Sequence, residues 1–126
     1  MKFLKQFRNW QDVEEYPAQS VIFSERDPAD MLYVILAGEV ELSLHGKSLG
    51  KEVEGGIIGE MAMINSATRN ATATAVSAVK LARLDRDQFR DMIGKSSKFS
   101  LHAMTVLANR LRAVDQYIIT ELDQQD

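Results

Sequence analysis

Cysteine is absent from this chain of 126 residues. Disulfides, thiolate zinc sites, iron–sulfur clusters and cysteine nucleophiles are excluded together, and the absence suits a cytoplasmic setting. Long apolar runs are missing as well. No stretch reaches the about 18 consecutive apolar residues of a membrane-spanning helix, so no membrane association is expected. The opening Met1–Arg8 holds too few apolar residues for a signal peptide. A surplus of positive charge is also lacking: 15 basic residues stand against 18 acidic ones, for a formal net charge of −3. With no dense Lys/Arg block, direct nucleic-acid binding is not expected. The only two histidines, His45 and His102, lack the carboxylate spacing of a metal site, and both are expected at the surface. No Walker-type Gly-Lys-Ser/Thr loop, dinucleotide fingerprint or nucleophile elbow occurs, so catalysis is not expected and neither a metal nor a cofactor is implied.

What is present is an ordinary globular balance, 45% hydrophobic and 26% charged, and enough chain for one core. The whole of residues 1–126 reads as a single domain: strand-rich to about residue 85, helical thereafter. Phe3, Leu4 and Phe7 suggest a short N-terminal helix, with Trp10 as a packing anchor behind it. Val13–Tyr16 and Ser20–Phe23 read as short strands, and Met31–Leu36 as a buried one, interrupted at Ala37-Gly38 by a bulge or bend. Glu39–Leu44 alternates strictly, with Val40, Leu42 and Leu44 on one face. His45-Gly46 then signals a tight hairpin, and Lys47–Val53 returns. Ala71–Val76 and Val79–Asp85 complete the strands of a small barrel or roll. Asp85 with Gln88 forms a capping-box start for a helix carrying Phe89, Met92 and Ile93, expected to end at Gly94. A second helix, from about 98 to 122, bears the apolar stripe Leu107, Leu111, Val114, Ile118 and Leu122. That stripe either packs on this chain's own barrel or forms a seam with a second copy. The methionines Met31, Met61, Met63, Met92 and Met104 read as core filler.

The chemistry concentrates between Gly55 and Thr72. Gly59 lets backbone approach a ligand closely. Glu60 begins a segment expected to form a short helix to Ile64, whose first amides favour an anion. The Glu60 carboxylate can accept from a sugar hydroxyl, and Arg69 can grip a phosphate with two parallel hydrogen bonds. A phosphate clamp beside a sugar acceptor suits a nucleotide with one compact phosphate. The bland alternative is a structural ion pair between Glu60 and Arg69 inside a barrel.

The run Gly59-Glu60-Met61-Ala62, six further residues, then Arg69 and Ala71, resembles the phosphate-binding cassette of cyclic-nucleotide-binding domains. These occur in bacterial catabolite-activator-type transcription regulators, cyclic-nucleotide-dependent kinases and gated channels. Val21-Ile22-Phe23, Asp27, Tyr33-Val34-Ile35 and Gly38-Glu39-Val40-Glu41 upstream are similar to that family too, as are Leu84-Asp85 and Phe89–Ile93 downstream. The resemblance covers roughly residues 12 to 118. It implies a mainly β fold with C-terminal helices: a jelly-roll-like β-roll (double-stranded β-helix) over about 12–85, a cassette at 56–72, a short N-terminal helix, and C-terminal helices over about 86–122 ending in a long one. It implies that Glu60 binds the ribose 2′-hydroxyl and Arg69 the cyclic phosphate. Gly59, Met61, Ala62, Asn70 and Ala71 would line the phosphate and sugar, and Val40, Leu42 and Leu49 the apolar walls. From the long helix, Arg110, Leu111, Val114 and Asp115 would lie nearest the base, with Asp115 placed to accept from an adenine amino group. The ligand implied is cAMP, with cGMP the alternative. The partners implied are a second copy through the C-terminal helix and an unknown effector protein that reads the movement of the helices.

The chain departs from the family pattern at three places. Arg26 stands where a Gly before Asp27 is usual, Asn65–Thr68 lacks the common Gly and Pro, and Asn70 follows Arg69 where a small or hydroxyl residue is usual. These motivate a second reading: a degenerate fold that binds no nucleotide and serves as a dimerisation or docking module.

Overall fold

A computed structural model describes residues 2–60 and 68–124. The expected short helix after Glu60, with Met61, Ala62 and Met63, lies outside the described residues. A 3₁₀ turn at Lys2–Phe7 precedes eight strands: β1 (Val13–Tyr16), β2 (Val21–Phe23), β3 (Leu32–Ala37), β4 (Val40–Leu44), β5 (Lys47–Glu52), β6 (Ile57–Ile58), β7 (Thr72–Ala75) and β8 (Val79–Leu84). Two helices follow, α1 (Arg86–Lys95) and α2 (Ser97–Gln124). The strands form two four-stranded antiparallel sheets, in the orders β1-β8-β3-β6 and β2-β7-β4-β5. None of the described helices is long and apolar enough to cross a membrane.

The two sheets differ in what covers them, and the sequence pattern follows. In the first sheet β3 is buried on both faces: Leu32 and Val34 pack towards the helices with Phe99, Ala103 and Val106, while Tyr33 and Ile35 face the second sheet. A strand covered on both sides has no polar face, hence its continuous apolar run. In β4 only one face is covered. Val40 and Leu42 are buried, whereas Glu41 and Ser43 are only partly so, which gives the alternation. Phe7, Trp10, Phe89 and Phe99 then close the helical side, with ring centroids 4.9 to 6.3 Å apart. Trp10 Nε1 donates to the Arg83 carbonyl at 2.8 Å, so it anchors the N-terminal segment as expected.

Local punctuation explains the turns. His45 and Gly46 both take positive φ, 52° and 79°, the geometry a two-residue hairpin needs between right-twisted strands. Gly38 has φ 94°, and a Cβ there would stand 2.3 Å from the Ala78 carbonyl. The bend after β3 therefore admits only glycine. Asp85 caps α1 in a full capping box with Gln88.

Several expectations need correction. The pair Ile57-Ile58 forms a strand, β6, against Val34 and Tyr33 of β3; it is too short to show a period. Gly94 does not end α1, which runs on through Lys95 to a C-cap at Ser96. His102 is not a surface residue: it is half-buried, and its Nε2 lies 2.5 Å from the Gly55 carbonyl. Met104 is not core filler but 59% exposed.

Candidate functional site

A pocket of about 350 Å³ opens between the second sheet and α2. Its apolar wall comes from Phe23 on β2, Leu42 and Leu44 on β4, Leu49 on β5, and Leu107 and Leu111 on α2. Its polar end is built from Gly59, Glu60, the 68–71 segment and Arg110. Phe23, Leu44, Thr68 and Leu107 were not foreseen from the sequence. Leu44 does share the inward face of the alternating strand, which is the signal that could have found it.

Arg69 is fixed at the polar end by its backbone. Its N–H donates to the Asp27 carbonyl and its own carbonyl accepts from Arg26 N–H, each at 2.8 Å. Arg26 reaches this position with φ 71°, a left-handed conformation that favours glycine. The side chain of Arg69 runs inward over Phe23, its guanidinium carbon 4.2 Å from the ring centroid. It passes within 5.6 Å of the Tyr33 ring centre and gives one long hydrogen bond, 3.5 Å, to the Gly59 carbonyl. Arg69 is 6% exposed. Among the described residues no carboxylate lies within ion-pairing distance of it, and its Nε has no hydrogen-bond partner.

Gly59 is shaped to this guanidinium. It takes φ 77°, and a Cβ there would lie 2.5 Å from Arg69 Nη1. The glycine thus makes room first for the arginine, rather than only for a ligand. Glu60, 5% exposed, does not pair with Arg69. Its Oε1 accepts from Arg110 Nη1 at 2.7 Å, while Oε2 is buried without a partner among the described residues. The arrangement rules out the structural Glu60–Arg69 pair as the reason both groups are buried. Arg110 itself is held by two carboxylates and a carbonyl, with Nη2 at 3.1 Å from Glu52 Oε1 and 3.0 Å from the Ile57 oxygen.

Of the sequence candidates, the structure brings Leu42, Leu49, Gly59, Glu60, Arg69, Asn70, Ala71 and Arg110 to this one pocket, with Leu111. Val40 is not part of its wall; at 0% exposed it lies in the core between the sheets. Asp115 is exposed and not among the lining residues: five residues on from Arg110, it points roughly 140° around the helix. Met61 and Ala62 lie outside the described residues, as does the side chain of Val114.

Chemically, and among the described residues, the pocket offers a buried cation with an unused N–H, a buried carboxylate oxygen with an unused acceptor site, and an apolar wall facing both. Unpaired buried polar atoms are costly. A ligand with an anionic group, a nearby hydroxyl and a flat apolar part would satisfy all three features together.

Comparison with known proteins gives consistent relatives. The sequence profile of the Cyclic nucleotide-binding domain matches residues 13–96. A CRP-like cAMP-activated global transcriptional regulator of Mycobacterium tuberculosis is 30% identical over 104 residues, covering 78% of this chain and 46% of the regulator. The cGMP-dependent protein kinase egl-4 of Caenorhabditis briggsae is 38% identical over 69 residues, covering 55% of this chain and 9% of the kinase. The chain therefore spans less than half the length of these relatives. Among solved structures, the Thermus thermophilus catabolite activator protein superposes with a TM-score of 0.72 at 25% identity, over 94% of this chain and 58% of that one.

Proposed function

Because the chain belongs to the cyclic nucleotide-binding domain family, we propose that it is a sensor module that binds a 3′,5′-cyclic nucleotide, preferentially cAMP, in the pocket between β4–β5 and α2. Arg69 takes the cyclic phosphate through Nε and a terminal nitrogen, the side-on fork that guanidinium groups form with phosphates. Glu60 accepts the ribose 2′-hydroxyl on Oε2. The base rests against Leu44, Leu49, Leu107 and Leu111. The observation that carries this reading is the buried Arg69 guanidinium, with its unpartnered Nε and no carboxylate beside it among the described residues. A buried charge kept without a counterion is expensive unless a ligand supplies one. The relatives include both a cAMP-activated and a cGMP-dependent protein, and the mostly apolar base end favours adenine.

The signal leaves through α2. Three lining residues, Leu107, Arg110 and Leu111, belong to that helix, so a ligand that contacts them biases its position only by its differential affinity for the two arrangements. One exposed side of α2 carries Leu101, Met104, Ala108, Leu111, Asp115, Ile118 and Leu122, with Leu111 at its border, where it also lines the pocket. Their alternating spacing of three and four is the seven-residue repeat of a coiled-coil seam, which supports a homodimer through α2. The module acts in the cytoplasm, as a binding rather than a catalytic unit, and an effector protein or segment reads it.

Thermal unfolding of the wild type and Arg69→Ala, with cAMP, cGMP or no ligand, tests the reading. At ligand about a hundredfold above its dissociation constant, binding to the folded state adds about 2.7 kcal/mol. A rise with cAMP that Arg69→Ala abolishes is expected. No rise with either nucleotide would favour the ligand-free docking module.

A further inference from the structure

We infer that Glu52, at the end of β5, is a positioning residue that keeps one oxygen of Glu60 open for a ligand hydroxyl; the inference rests on the cyclic-nucleotide reading of the pocket. An arginine beside a carboxylate ordinarily closes on both of its oxygens with two parallel hydrogen bonds. Arg110 does not do so with Glu60. It gives Glu60 only one bond, Nη1 to Oε1 at 2.7 Å, because Nη2 is turned to Glu52 Oε1 and the Ile57 carbonyl, at 3.1 and 3.0 Å. The remaining oxygen, Glu60 Oε2, is buried and unpartnered among the described residues.

The fold makes a place for Glu52. A Cβ at Gly56 would stand 2.8 Å from Glu52 Oε2 and 2.9 Å from the Val53 carbonyl, so the bare Cα of Gly56 leaves room for the carboxylate. Glu52 is not among the residues lining the pocket and so acts through Arg110, not by touching the ligand. Without Glu52, Arg110 can rotate Nη2 towards Glu60 and occupy both oxygens. The acceptor for the 2′-hydroxyl would then be filled from within the protein.

The test is the ratio of dissociation constants for 2′-deoxy-cAMP and cAMP, measured by calorimetric titration. The wild type should prefer cAMP on the order of tenfold or more, the effect of one hydrogen bond to a charged group. Glu52→Leu should weaken cAMP, leave 2′-deoxy-cAMP nearly unchanged, and bring the ratio close to unity. Glu52→Gln, whose amide oxygen still accepts from Nη2, should keep most of the preference. In an Arg110→Met background, Glu52→Leu should leave the ratio unaltered, since the group it acts through is gone. Equal weakening of both nucleotides by Glu52→Leu, at an unchanged ratio, would overturn the inference alone. A wild type that binds neither nucleotide would overturn the cyclic-nucleotide reading and this inference with it.

Discussion

Arg69 and Glu60 line the same pocket yet do not pair with each other: Glu60 is bonded at 2.7 Å to Arg110 from α2, and Arg69 lies over the ring of Phe23. A cation and an anion buried side by side would normally neutralise one another. Here each keeps an atom without a partner among the described residues, Nε on one and Oε2 on the other. On the proposed function, a molecule that bears both a phosphate and a hydroxyl would satisfy both atoms; buried without such partners, they carry a cost.

A first prediction follows from that cost. Arg69→Met removes a buried charge and leaves an apolar side chain of similar length against Phe23. Burying an uncompensated charge is unfavourable, so the unliganded variant should unfold at the wild-type temperature or above it. Cyclic-nucleotide affinity should fall by about 1.5–3 kcal/mol for each charge-assisted bond lost. Melting curves and titrations of the same samples check both halves. An unliganded variant that melts well below wild type would mean that Arg69 serves the fold.

Arg26 supplies a second prediction. It is exposed and holds φ 71°, a conformation that costs a non-glycine residue roughly 1–2 kcal/mol. Arg26→Gly should therefore stabilise the domain by about 1 kcal/mol, after the extra entropy of the unfolded chain is counted. Denaturant unfolding reads the change, and a loss of stability would show that the Arg26 side chain contributes more than its backbone costs.

The dimer seam proposed on α2 gives a third. Leu111 and Ile118 are 64% and 49% exposed and lie seven residues apart, with Asp115 between them at a core position of the repeat. Replacing both apolar residues by serine should shift the chain towards monomer. Asp115→Leu should tighten the dimer, because a polar residue at such a position lowers coiled-coil stability. Analytical ultracentrifugation across a concentration series decides it. Indifference to all these substitutions would remove α2 as the interface.

Alkaline stability gives a fourth. Burial pushes the Tyr33 hydroxyl above its ordinary value. For Tyr16, burial and the neighbouring Glu14 carboxylate, which accepts its hydrogen bond, act in the same direction. In the unfolded chain both ionise near about pH 10. Their folded values are higher, so the folded state holds more protons above that pH. Their stabilising contribution is complete below about pH 10 and is lost as pH rises beyond it. Tyr33→Phe should flatten the fall in melting temperature on the alkaline side. An unchanged slope would contradict the assignment.

Much of the fold was legible because its causes are local. The continuous run of β3 and the alternation of β4 reflect how many faces each strand buries, and Asp85 with Gln88 marked the start of α1. β6 was not legible, since two residues between glycines carry no periodicity. Gly94 misled because glycine tolerates a helix interior, and the cap geometry belongs to Ser96. In the candidate site, Glu60 and Arg69 were named from their types and spacing, and both line the pocket. Arg110 was named too, but as a residue near the base; its bonds to Glu60 and Glu52 were not legible, because Glu52 and Arg110 are 58 residues apart and meet only when α2 packs on the sheet. Val40 and Asp115 show the same boundary: a strand face or a helix register names candidates, but only packing separates those lining the pocket from those in the core or on the outer face.

The most direct measurement of the central claim is the NMR cross-peak of the Arg69 Nε–H group during titration with cAMP. If the cyclic phosphate supplies the missing partner, that resonance should move strongly downfield and saturate at one nucleotide per chain, while Arg69→Met lacks the peak and the binding. If backbone resonances around the pocket move and the Arg69 Nε–H signal does not, the phosphate lies elsewhere and the assignment of Arg69 is contradicted.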